Sequence, residues 1–425
     1  MSEVLPHVAP SDPGGAAEAA LAYHEGGKLG IRSRVPLEDR ADLCLAYTPG
    51  VAAACRAIAA DPSCLDRYSS RANLVAVVTD GSAVLGLGDL GPAAALPVME
   101  GKCLLLGRFG GVDAVPLCLA GSRDPGSLAE VIAAVAPGFG AIQLEDVSAP
   151  RCFDLEERLR KTLSIPVFHD DQHGTAVVVA AALRSALRAT GRQASETRVV
   201  VNGAGAAGCA CAELLLDAGV GDVVLCDRSG IVRRPVGPDR AELAARCNRL
   251  GLGGDLAAAL QGADVLVGVS AAGVVSRAMV RSMARRPIVF ALANPDPEID
   301  RGAALEAGAA IVATGASDDP NQLNNALCFP GFFRGLLDAG ATGWHRAALP
   351  AAADAIAGLV TDEELGRGIV VPDIFHPAVA PAVAGAVAEA AWAAGLASRA
   401  LSSGQEAAAA RTRVATWVRR ARSGA

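Results

Sequence analysis

The sequence predicts an α/β fold in which the strands of parallel sheets alternate with helices, in two or three domains. The chain has 425 residues, of which 52% are hydrophobic and 20% are charged, so it can bury a large core. Short apolar runs alternate with helix-like segments, and two of these runs end in acidic pairs. A glycine-rich run also lies between a strand-like and a helix-like segment, as nucleotide-binding parallel sheets require.

The bulk composition argues against several classes of protein. The net charge of −7 argues against a general surface for nucleic acids or anionic membranes. Residues 1–15 have neither a basic start nor an apolar core, so they do not resemble a signal peptide. Residues 378–401 are mainly alanine but contain Pro381 and Glu389, which predicts an amphipathic or core helix. Eleven cysteines without Cys-x-x-Cys pairs favour reduced thiols in a cytoplasmic protein.

The N-terminal part begins with a segment of low complexity. Residues 1–22 are rich in Ala, Gly and Pro and predict a weakly ordered arm, which we end at residue 26. The segment from Leu43 to Gly50 ends in a turn signal, and residues 51–60 predict a helix. Tyr47 stands just before this helix. A tyrosine between apolar residues is typical of a core position with a satisfied hydroxyl, and a role as a catalytic acid is the alternative.

Two Gly-x-Gly-x-x-Gly runs occur in the chain, at residues 86–91 and 203–208. A dinucleotide site needs a strand before the glycines, a helix after them and an acidic residue at the end of the next strand. The later run meets all three conditions, since strand-like and helix-like segments flank it and Asp227 ends the next strand-like run. The earlier run lacks the acid, because Asp113 precedes its next apolar segment.

The later run therefore predicts a Rossmann-like, doubly wound parallel sheet that binds NAD. Its glycines would let the backbone approach a pyrophosphate at a helix N-terminus, where unpaired N–H groups favour negative charge. Asp227 would accept hydrogen bonds from the adenosine ribose, which favours NAD, whereas the adjacent Arg228 leaves NADP as the alternative. The predicted cofactor-binding residues of this run are Gly203, Ala204, Gly205, Ala206, Ala207 and Gly208.

The earlier glycine run leads through Pro92 into a helix-like stretch, residues 93–106, that carries Lys102. A lysine near a helix C-terminus is usually solvated or compensates the helix dipole. The apolar residues around Lys102 favour a position turned toward the interior. There, burial near a metal would lower the pKa of the amine and make it a usable base.

Two acidic pairs predict a site for a divalent cation. Glu145 and Asp146 follow a strand-like run, and Asp170 and Asp171 follow another apolar run and precede a helix-like segment at residues 176–187. An isolated Asp-Asp pair is most often a solvated turn. Here the flanks are apolar, so a metal ion is the expected partner of the buried carboxylates.

The residue types in these pairs indicate which metal would bind. Three carboxylates suit a hard cation, Mg²⁺ or Mn²⁺, and the lack of His/Cys ligand spacing argues against zinc. Two of the three would be Glu145 and Asp146. The residues alone do not decide whether Asp170 or Asp171 is the third ligand.

Several longer blocks of the chain resemble the short bacterial malic enzymes. The resemblance covers residues from about Gly27 to Leu337 in the same order. The matching blocks are Tyr-Thr-Pro-Gly-Val-Ala (47–52), Gly-Leu-Gly-Asp-Leu-Gly-Pro (86–92), Pro-Val-Met-Glu-Gly-Lys (97–102), Leu-Glu-Asp-Val-Ser-Ala-Pro-Arg-Cys-Phe (144–153), Phe-His-Asp-Asp-Gln-His-Gly-Thr (168–175), Ala-Leu-Ala-Asn-Pro-Asp-Pro-Glu-Ile (291–299) and Asn-Gln-Leu-Asn-Asn-Ala-Leu-Cys-Phe-Pro-Gly (321–331).

The resemblance implies a role for each matching site residue. The family's proton-donating tyrosine falls on Tyr47, and its basic lysine falls on Lys102, with Asp170 as a catalytic carboxylate that pairs with the lysine. The family's metal ligands fall on Glu145, Asp146 and Asp171, so the resemblance selects Asp171 over Asp170. The family's substrate-side amides fall on Asn294 and Asn325, and Asn294 is also predicted to contact the cofactor.

The resemblance also implies the domain order, the assembly and the activity. We expect a malic-enzyme-type α/β domain at residues 27–173, a Rossmann-like NAD(P)-binding domain at residues 174–340, and C-terminal helices at residues 341–425 that pack on the first domain. The assembly is expected to be a homodimer or a larger homo-oligomer. The expected reaction is the oxidative decarboxylation of (S)-malate to pyruvate and CO₂, with NAD, or alternatively NADP, and Mg²⁺ or Mn²⁺ as cofactors.

The chain departs from the family pattern at two places. After Gly315 the family usually has Arg followed by Ser-Asp-Tyr-Pro, whereas this chain has Ala316 and Asp319, so a cation is missing and an acid is added. Gly107 and Arg108 also replace a more usual Phe-Lys. The first departure keeps two alternatives open, an oxaloacetate decarboxylase and a β-decarboxylating dehydrogenase of another 2-hydroxy diacid. A third, non-enzymatic hypothesis is a nucleotide-binding regulator on the same scaffold.

Overall fold

The fold contains two parallel sheets and a large set of helices. A computed structural model describes residues 13–31, 33–84, 86–121, 123–233, 241–399 and 401–423. The strands are β1 (Leu74–Thr79), β2 (Asp113–Cys118), β3 (Ala141–Leu144), β4 (Val167–His169), β5 (Arg198–Asn202), β6 (Asp222–Asp227), β7 (Gly230–Ile231), β8 (Val265–Gly268), β9 (Ile288–Ala291) and β10 (Ile311–Thr314).

The helices precede, connect and follow these strands. They are α1 (Pro13–His24), α2 (Arg40–Ala46), α3 (Val51–Ala60), α4 (Leu65–Tyr68), α5 (Gly91–Gly110), α6 (Pro125–Val135), α7 (Arg151–Thr162), α8 (Asp170–Thr190), α9 (Ala206–Asp217), α10 (Ala241–Arg246), α11 (Leu256–Leu260), α12 (Arg277–Ser282), α13 (Arg301–Glu306), α14 (Phe329–Asp338), α15 (Ala348–Ala357), α16 (Asp362–Gly366), α17 (Val379–Ala393) and α18 (Ser403–Ser423).

The first sheet has four parallel strands in the order β2-β1-β3-β4. Its central strands β1 and β3 are apolar and almost fully buried, as expected for a sheet covered on both faces. The register pairs Val78 with Leu144, and Leu144 with His169. The carboxyl ends of β1, β3 and β4 therefore meet at one edge, and the residues that follow them come together there.

The second sheet has the order β10-β9-β8-β5-β6-β7, and only its edge strand β7 is antiparallel among the described strands. The strand order reverses between β5 and β8, which is the arrangement of a doubly wound Rossmann-like sheet with a crevice at the reversal point. The predicted α/β fold with a Rossmann-like parallel sheet is therefore confirmed.

Helix α8 connects the two sheets. It begins at Asp170, directly after β4, and ends at Thr190, where Gly191 adopts a left-handed conformation with φ 69°. The sequence predicted a helix over residues 176–187 only. Asp170 and Asp171 therefore lie in the first helical turn, where carboxylates are favoured by the helix dipole, and not in a loop before the helix. The expected domain boundary at residues 173 and 174 falls inside α8.

The N-terminal part differs from the expected weakly ordered arm. That prediction is wrong for residues 13–22, because they belong to α1; the residues before Pro13 lie outside the described part. Alanine has the highest helix propensity, and proline fits the first helical position, so this composition suits a helix end as well as an arm. After α1, Lys28 docks on α5 through its backbone N–H to Glu100 (3.0 Å) and its Nζ to the carbonyl of Pro97 (2.7 Å).

The C-terminal helices surround α8 and α14 and reach back to α5. Helix α17 is largely buried, which agrees with the core helix predicted at residues 378–401. Helix α18 packs on α5, and a side chain at Gly107 would collide with the ring of Trp417. Trp417 therefore fills the space beside Gly107 that the larger side chain of the family's usual phenylalanine would need.

Candidate active site

Three carboxylates gather at the carboxyl edge of the first sheet. Glu145 and Asp146 follow β3, and Asp171 lies in the first turn of α8 beside them. One oxygen from each of the three lies within 4.8 Å of the others. The structure therefore brings together the three predicted metal ligands.

The backbone of Asp146 fixes this arrangement. Asp146 has a positive φ of 54°, a left-handed conformation that aspartate tolerates better than most residues. Its N–H donates to Oδ2 of Asp171 at 2.8 Å, and its carbonyl accepts from the N–H of Ala83 at 3.0 Å. Through these two hydrogen bonds, the turn after β3 fixes the positions of the first turn of α8 and of the turn after β1.

Lys102 lies beside the carboxylates and is itself buried. From α5 its Nζ reaches Oδ2 of Asp170 at 2.6 Å, Oε1 of Glu145 at 2.8 Å and Oδ1 of Asn325 at 3.1 Å. The ammonium also lies 4.8 Å from the centre of the Phe329 ring. The predicted base, its predicted carboxylate partner and one predicted substrate amide therefore form a single cluster.

Burial and mutual repulsion control the protonation of this cluster. Burial, opposed by the charge of Lys102, raises the pKa of Glu145 to about 7 and that of Asp170 to about 7, and the pKa of Asp171 is also raised. Burial alone would lower the pKa of Lys102. The charges of Asp170, Glu145 and Asp171 outweigh it, so the pKa of Lys102 is raised. The expected lowering of the lysine pKa depends on a metal beside the amine, and it stays a prediction for the metal-bound protein.

The chemistry of the acids fits a hard divalent cation. Glu145, Asp146 and Asp171 offer only oxygen atoms, which Mg²⁺ and Mn²⁺ prefer. The raised pKa values of Glu145 and Asp171 show that the nearby positive charge does not fully compensate the burial of their negative charges. Lys102 is the nearby cation, and it is shared between Glu145 and Asp170. A bound cation would supply that charge.

Residues around the ligands orient them, and the sequence did not single these residues out. Buried Gln143 on β3 donates from Nε2 to Oε2 of Glu145 at 2.8 Å. Glu156 on α7 accepts from the side chains of Gln172 and His173 and from the N–H of His169. A signal for Gln143 was present, since it is the polar residue in the apolar strand Ala-Ile-Gln-Leu.

Gly174 permits the close packing at the start of α8. A side chain at this position would collide with Oδ1 of Asp170, and its Cβ would lie 3.2 Å from Cβ of Asn325. The absent side chain leaves room for Asp170 to turn back toward Lys102.

Two predicted site residues are not part of this cluster. Tyr47 caps the end of α2 and is 68% exposed, so it is not a packed core residue, and the ion pairs and hydrogen bonds described for Lys102 do not involve it. Asn294 follows β9 and is exposed, with Nδ2 at 3.4 Å from the carbonyl of Leu292. Its carbonyl lies against Gly86, where a side chain would collide with it, so Asn294 stands where the two sheets face each other.

The three glycines of the run at residues 203–208 have different structural roles. A side chain at Gly203, which has φ 122°, would collide with the carbonyl of Val269, and a side chain at Gly208 would collide with the carbonyl of Gly203. Gly205 precedes the first turn of α9, and a Cβ there would meet no described atom within 4 Å. Two glycines therefore allow strand and helix to pack, and the third faces open space at a helix N-terminus, as a pyrophosphate cradle requires.

The predicted ribose acid lies at the end of its strand. Asp227 ends β6 and is exposed, and its Oδ1 accepts from the N–H of Ser229 at 2.7 Å. Arg228 is also exposed. The carboxylate and the guanidinium both remain available to a nucleotide.

The unusual Asp319 has a structural partner. Its Oδ1 pairs with Nη1 of Arg301 at 2.9 Å and accepts from the N–H of Asn321 at 2.8 Å, and its Oδ2 accepts from Oγ1 of Thr314 at 3.0 Å. The carboxylate is almost fully buried. The acid that replaces the family's tyrosine is therefore paired with a cation and does not add an unpaired charge beside Asn325.

Comparison with known proteins agrees with this geometry. Residues 27–126 match the family description "Malic enzyme, N-terminal domain", and residues 172–229 and 255–392 match "Malic enzyme, NAD binding domain". Among curated relatives, an NAD-dependent malic enzyme of Geobacillus stearothermophilus is 49% identical over 386 residues, which cover 90% of this chain and 80% of the relative. A bifunctional malic/malolactic enzyme of Bacillus subtilis (strain 168) is 49% identical over 89% of this chain and 94% of its own.

Solved structures extend the similarity to the whole fold. A malic enzyme from Pyrococcus horikoshii Ot3 is 43% identical with a TM-score of 0.90, covering 95% of this chain and 97% of its own. A malic enzyme of Entamoeba histolytica is 35% identical with a TM-score of 0.91, covering 96% and 88%. With both domains matched in order and the acids and the lysine gathered at one sheet edge, this chain belongs to the malic enzyme family.

Proposed function

We propose that this protein catalyses the oxidative decarboxylation of (S)-malate to pyruvate and CO₂ with reduction of NAD or NADP. The observation that carries the proposal is the cluster in which buried Lys102 contacts Asp170, Glu145 and Asn325 beside the three-carboxylate group. A metal-binding acid group, a buried amine and a nucleotide cradle are the parts that this reaction needs.

Glu145, Asp146 and Asp171 would hold the divalent cation, and the glycine run with Asp227 would hold the nucleotide. A cation bound there supplies Lewis-acid polarisation of substrate oxygens, an effect worth several kcal/mol, and the nicotinamide supplies the hydride acceptor. The roles of the remaining residues follow from their contacts.

Lys102 takes the proton of the substrate hydroxyl as the hydride leaves C2. The charges of Asp170, Glu145 and Asp171 raise the pKa of Lys102, and a cation bound to Glu145 and Asp171 would oppose this effect, so that the amine can release its proton. Oδ2 of Asp170, 2.6 Å from Nζ, is the nearest acceptor for that proton. Asp170 is therefore the proton partner of Lys102, and the pair acts as one unit.

The two amides orient the substrate. Oδ1 of Asn325 accepts from Lys102, which leaves its Nδ2 group to donate to a substrate carboxylate. Asn294, at the carboxyl end of β9 beside Gly315, offers its amide to the nicotinamide side of the substrate. Tyr47 delivers the proton to C3 after CO₂ departs, since its phenolic hydroxyl can donate a proton.

The assembly and location are part of the proposal. We propose a homodimer or a larger homo-oligomer in the cytoplasm. Eleven cysteines occur in the chain and all are free, which fits a reducing compartment. Eleven of the twenty-one large apolar side chains exposed in the described residues lie between residues 21 and 68, and such a concentration supports an assembly.

Neighbouring chemistries lose one of their two supports. The alternatives of an oxaloacetate decarboxylase or a dehydrogenase of another diacid depended on the missing cation at Ala316 and on the added acid at Asp319. Asp319 is paired with Arg301, so only the absence of a cation at Ala316 still favours them.

The test is the steady-state rate with malate, oxaloacetate and tartrate, each with NAD and with NADP, over a Mn²⁺ series. We expect NAD(P)H and pyruvate from malate only in the presence of Mn²⁺ or Mg²⁺. Decarboxylation of oxaloacetate without any NAD(P)H from malate would replace this proposal by the decarboxylase. Nucleotide binding without turnover of any substrate would favour the regulator.

A further inference from the structure

One buried carboxylate ties together two loops at the crevice of the second sheet. The β8 loop, residues 269–276, follows β8, and the β9 loop, residues 292–300, follows β9. Glu298 lies in the β9 loop and is fully buried. Its Oε1 accepts from the N–H of Ser270 at 2.8 Å and from Oγ of Ser270 at 3.1 Å. Its Oε2 accepts from the N–H of Ala293 at 3.0 Å, so one oxygen holds the β8 loop and the other holds the start of the β9 loop.

The local backbone is shaped around this carboxylate. A side chain at Gly268, the last residue of β8, would collide with the carboxyl group of Glu298. The carbonyl of Glu298 accepts from the N–H of Val275 at 3.0 Å, and the carbonyl of Pro297 accepts from the N–H of Gly273 at 3.0 Å. Side-chain and backbone hydrogen bonds of the same short segment therefore join the two loops.

The β8 loop connects Glu298 to the nucleotide cradle. Oγ of Ser270 accepts from Nδ2 of Asn202 at 2.8 Å, and Asn202 ends β5 directly before the glycine run at residues 203–208. The carbonyl of Val269, in the same loop, is the group that a side chain at Gly203 would strike. Because the strand order reverses between β5 and β8, this loop borders the crevice in which doubly wound sheets bind nucleotides.

The β9 loop connects Glu298 to the predicted substrate amide. Ala293, whose N–H donates to Glu298, directly precedes Asn294. The carbonyl of Asn294 lies against Gly86 of the first half of the chain, and its side chain lies beside Gly315. A shift of Ala293 would therefore move Asn294 relative to the nucleotide side of the crevice.

We infer that Glu298 is a positioning residue that fixes Asn294 relative to the β8 loop, and that hydride transfer depends on this separation. Hydride transfer requires the substrate and the nicotinamide at a near-attack distance, and a misplacement of about 1 Å can cost about 10²-fold in rate. The inference rests on the proposed function, because that function assigns Asn294 to the nicotinamide side of the substrate. Glu298 is buried and acts through Asn294.

Glutamine at this position tests the inference with the smallest change of shape. A carboxylate accepts hydrogen bonds at both oxygens, whereas a carboxamide accepts at its oxygen and donates from its NH₂ group. In Glu298→Gln the NH₂ group must face the N–H of either Ser270 or Ala293, so one loop loses its hydrogen bond. We expect kcat for malate oxidation with NAD and Mn²⁺ to fall at least about tenfold. The Kd for Mn²⁺ should change little, because the three metal-binding acids lie at the edge of the first sheet.

Asp264→Asn is the matched control. Asp264 precedes β8 at the opposite, amino end of this strand. There its Oδ2 accepts from the N–H of Arg198 at 2.9 Å, and its Oδ1 lies 3.3 Å from Nε of Arg192. Both substitutions should lower Tm, but Asp264→Asn should keep the parent kcat at a temperature well below both Tm values. Equal losses of kcat in the two variants would give Glu298 a purely structural role and overturn the inference.

A double-mutant cycle with Asn294→Ala tests whether the effect passes through Asn294. If it does, Glu298→Gln costs little further kcat in a chain that already lacks the Asn294 amide, whereas independent effects on kcat multiply. Multiplying effects overturn the inference. An Asn294→Ala protein with the parent kcat also overturns it, since Asn294 would then have no effect to transmit. A parent protein that is inactive on malate contradicts the proposed function instead.

Ser270→Ala decides the question if Glu298→Gln does not fold. Ser270 is exposed, and the substitution removes the hydroxyl between Asn202 and Glu298 but keeps the backbone N–H that donates to Oε1. We expect kcat to fall about two- to tenfold, the usual contribution of one hydrogen bond, with the same loss of additivity against Asn294→Ala. The parent kcat in Ser270→Ala would overturn the inference.

Discussion

Lys102 and Asp170 form a buried ion pair across two helices, with 2.6 Å between Nζ and Oδ2. The pair joins α5, which follows the first strand, to the first turn of α8, which leads to the second sheet. Because Oε1 of Glu145 lies 2.8 Å from the same ammonium, one amine balances two carboxylates that both have raised pKa values.

Asp170→Asn should remove the proton partner of Lys102 and keep the shape of the site. We expect kcat for malate oxidation to fall by about 10²–10⁴, the usual contribution of a positioned acid–base group, with little change in the Kd for NADH. Asp154→Asn on α7, where the half-exposed carboxylate pairs only with Arg158 of the same helix among its described ion pairs, is the control and should behave as the parent. A parent kcat in Asp170→Asn would exclude Asp170 from proton transfer.

Asp171→Asn should separate metal binding from folding. The change removes one of three neighbouring negative charges, so the metal-free variant should unfold at or above the Tm of the metal-free parent. Mn²⁺ at one hundred times its Kd should stabilise the parent by about 2.7 kcal/mol and the variant by much less. Thermal unfolding with and without Mn²⁺ measures both. Equal stabilisation of the two proteins would place the metal elsewhere, and exposed Glu389→Gln is the control.

The two glycines of the nucleotide cradle should respond differently to alanine. Gly205→Ala places a methyl group in space that the protein leaves open, so Tm should be unchanged and the Kd for NADH should rise at least about tenfold, or about 1.4 kcal/mol. Gly208→Ala should instead lower stability by about 1–3 kcal/mol, because its methyl group would overlap the carbonyl of Gly203. Similar losses of stability in both variants would contradict this division.

Asp227→Ser should shift the preference between nucleotides. The carboxylate would repel a ribose 2′-phosphate, so its removal should raise kcat/KM for NADP by about tenfold relative to NAD, equal to about 1.4 kcal/mol. Serine can still accept from the N–H of Ser229. Arg228→Ala should act in the opposite direction. An unchanged ratio of NAD to NADP rates in Asp227→Ser would remove the ribose assignment.

Glu406 on α18 predicts a pH dependence of stability away from the active site. Burial, together with the neighbouring Asp338, raises the pKa of Glu406 from 4.5 to about 9 in the folded protein. Between these values the folded state holds a proton that the unfolded state has lost. Stability therefore falls as the pH rises from 4.5 to about 9, by at most about 1.4 kcal/mol per pH unit.

The matched variant for this effect is Glu406→Gln, which keeps the size of the side chain and cannot ionise. Its Tm should exceed that of the parent increasingly from pH 6 to pH 9. Arg334 and Arg413 face the same carboxyls and oppose the effect. A constant difference in Tm across this range would show that Glu406 is ionised in the folded protein.

The sequence predicted those parts of the site that depend on short stretches of chain. The acids after β3 and the glycines before α9 follow from the rule that parallel strands present their carboxyl ends at one edge. Helix starts were less predictable. Aspartates in a first turn look like a loop in sequence, and the alanine-rich stretch before residue 22 looks like an arm, because both compositions are compatible with helix termini.

Properties that depend on distant partners could not be predicted. The raised pKa of Lys102 results from carboxylates on two other elements, and the neutralisation of Asp319 results from Arg301, which lies on α13. The space that a side chain at Gly107 would need is taken by the ring of Trp417, which comes more than three hundred residues later in the chain. Charge balance and packing complementarity of this kind are set by tertiary structure.

Helix α8 belongs mechanically to both halves of the molecule. Its first turn carries Asp170 and Asp171, and its remaining length packs on α9 and α15. If the nucleotide-binding half rotates relative to the other half and α8 moves with it, the two aspartates move away from Glu145 and Asp146, which follow a strand of the first sheet. A movement that separates the two halves to release product would therefore also weaken binding of the cation, because the twenty-one residues of α8 couple the two events.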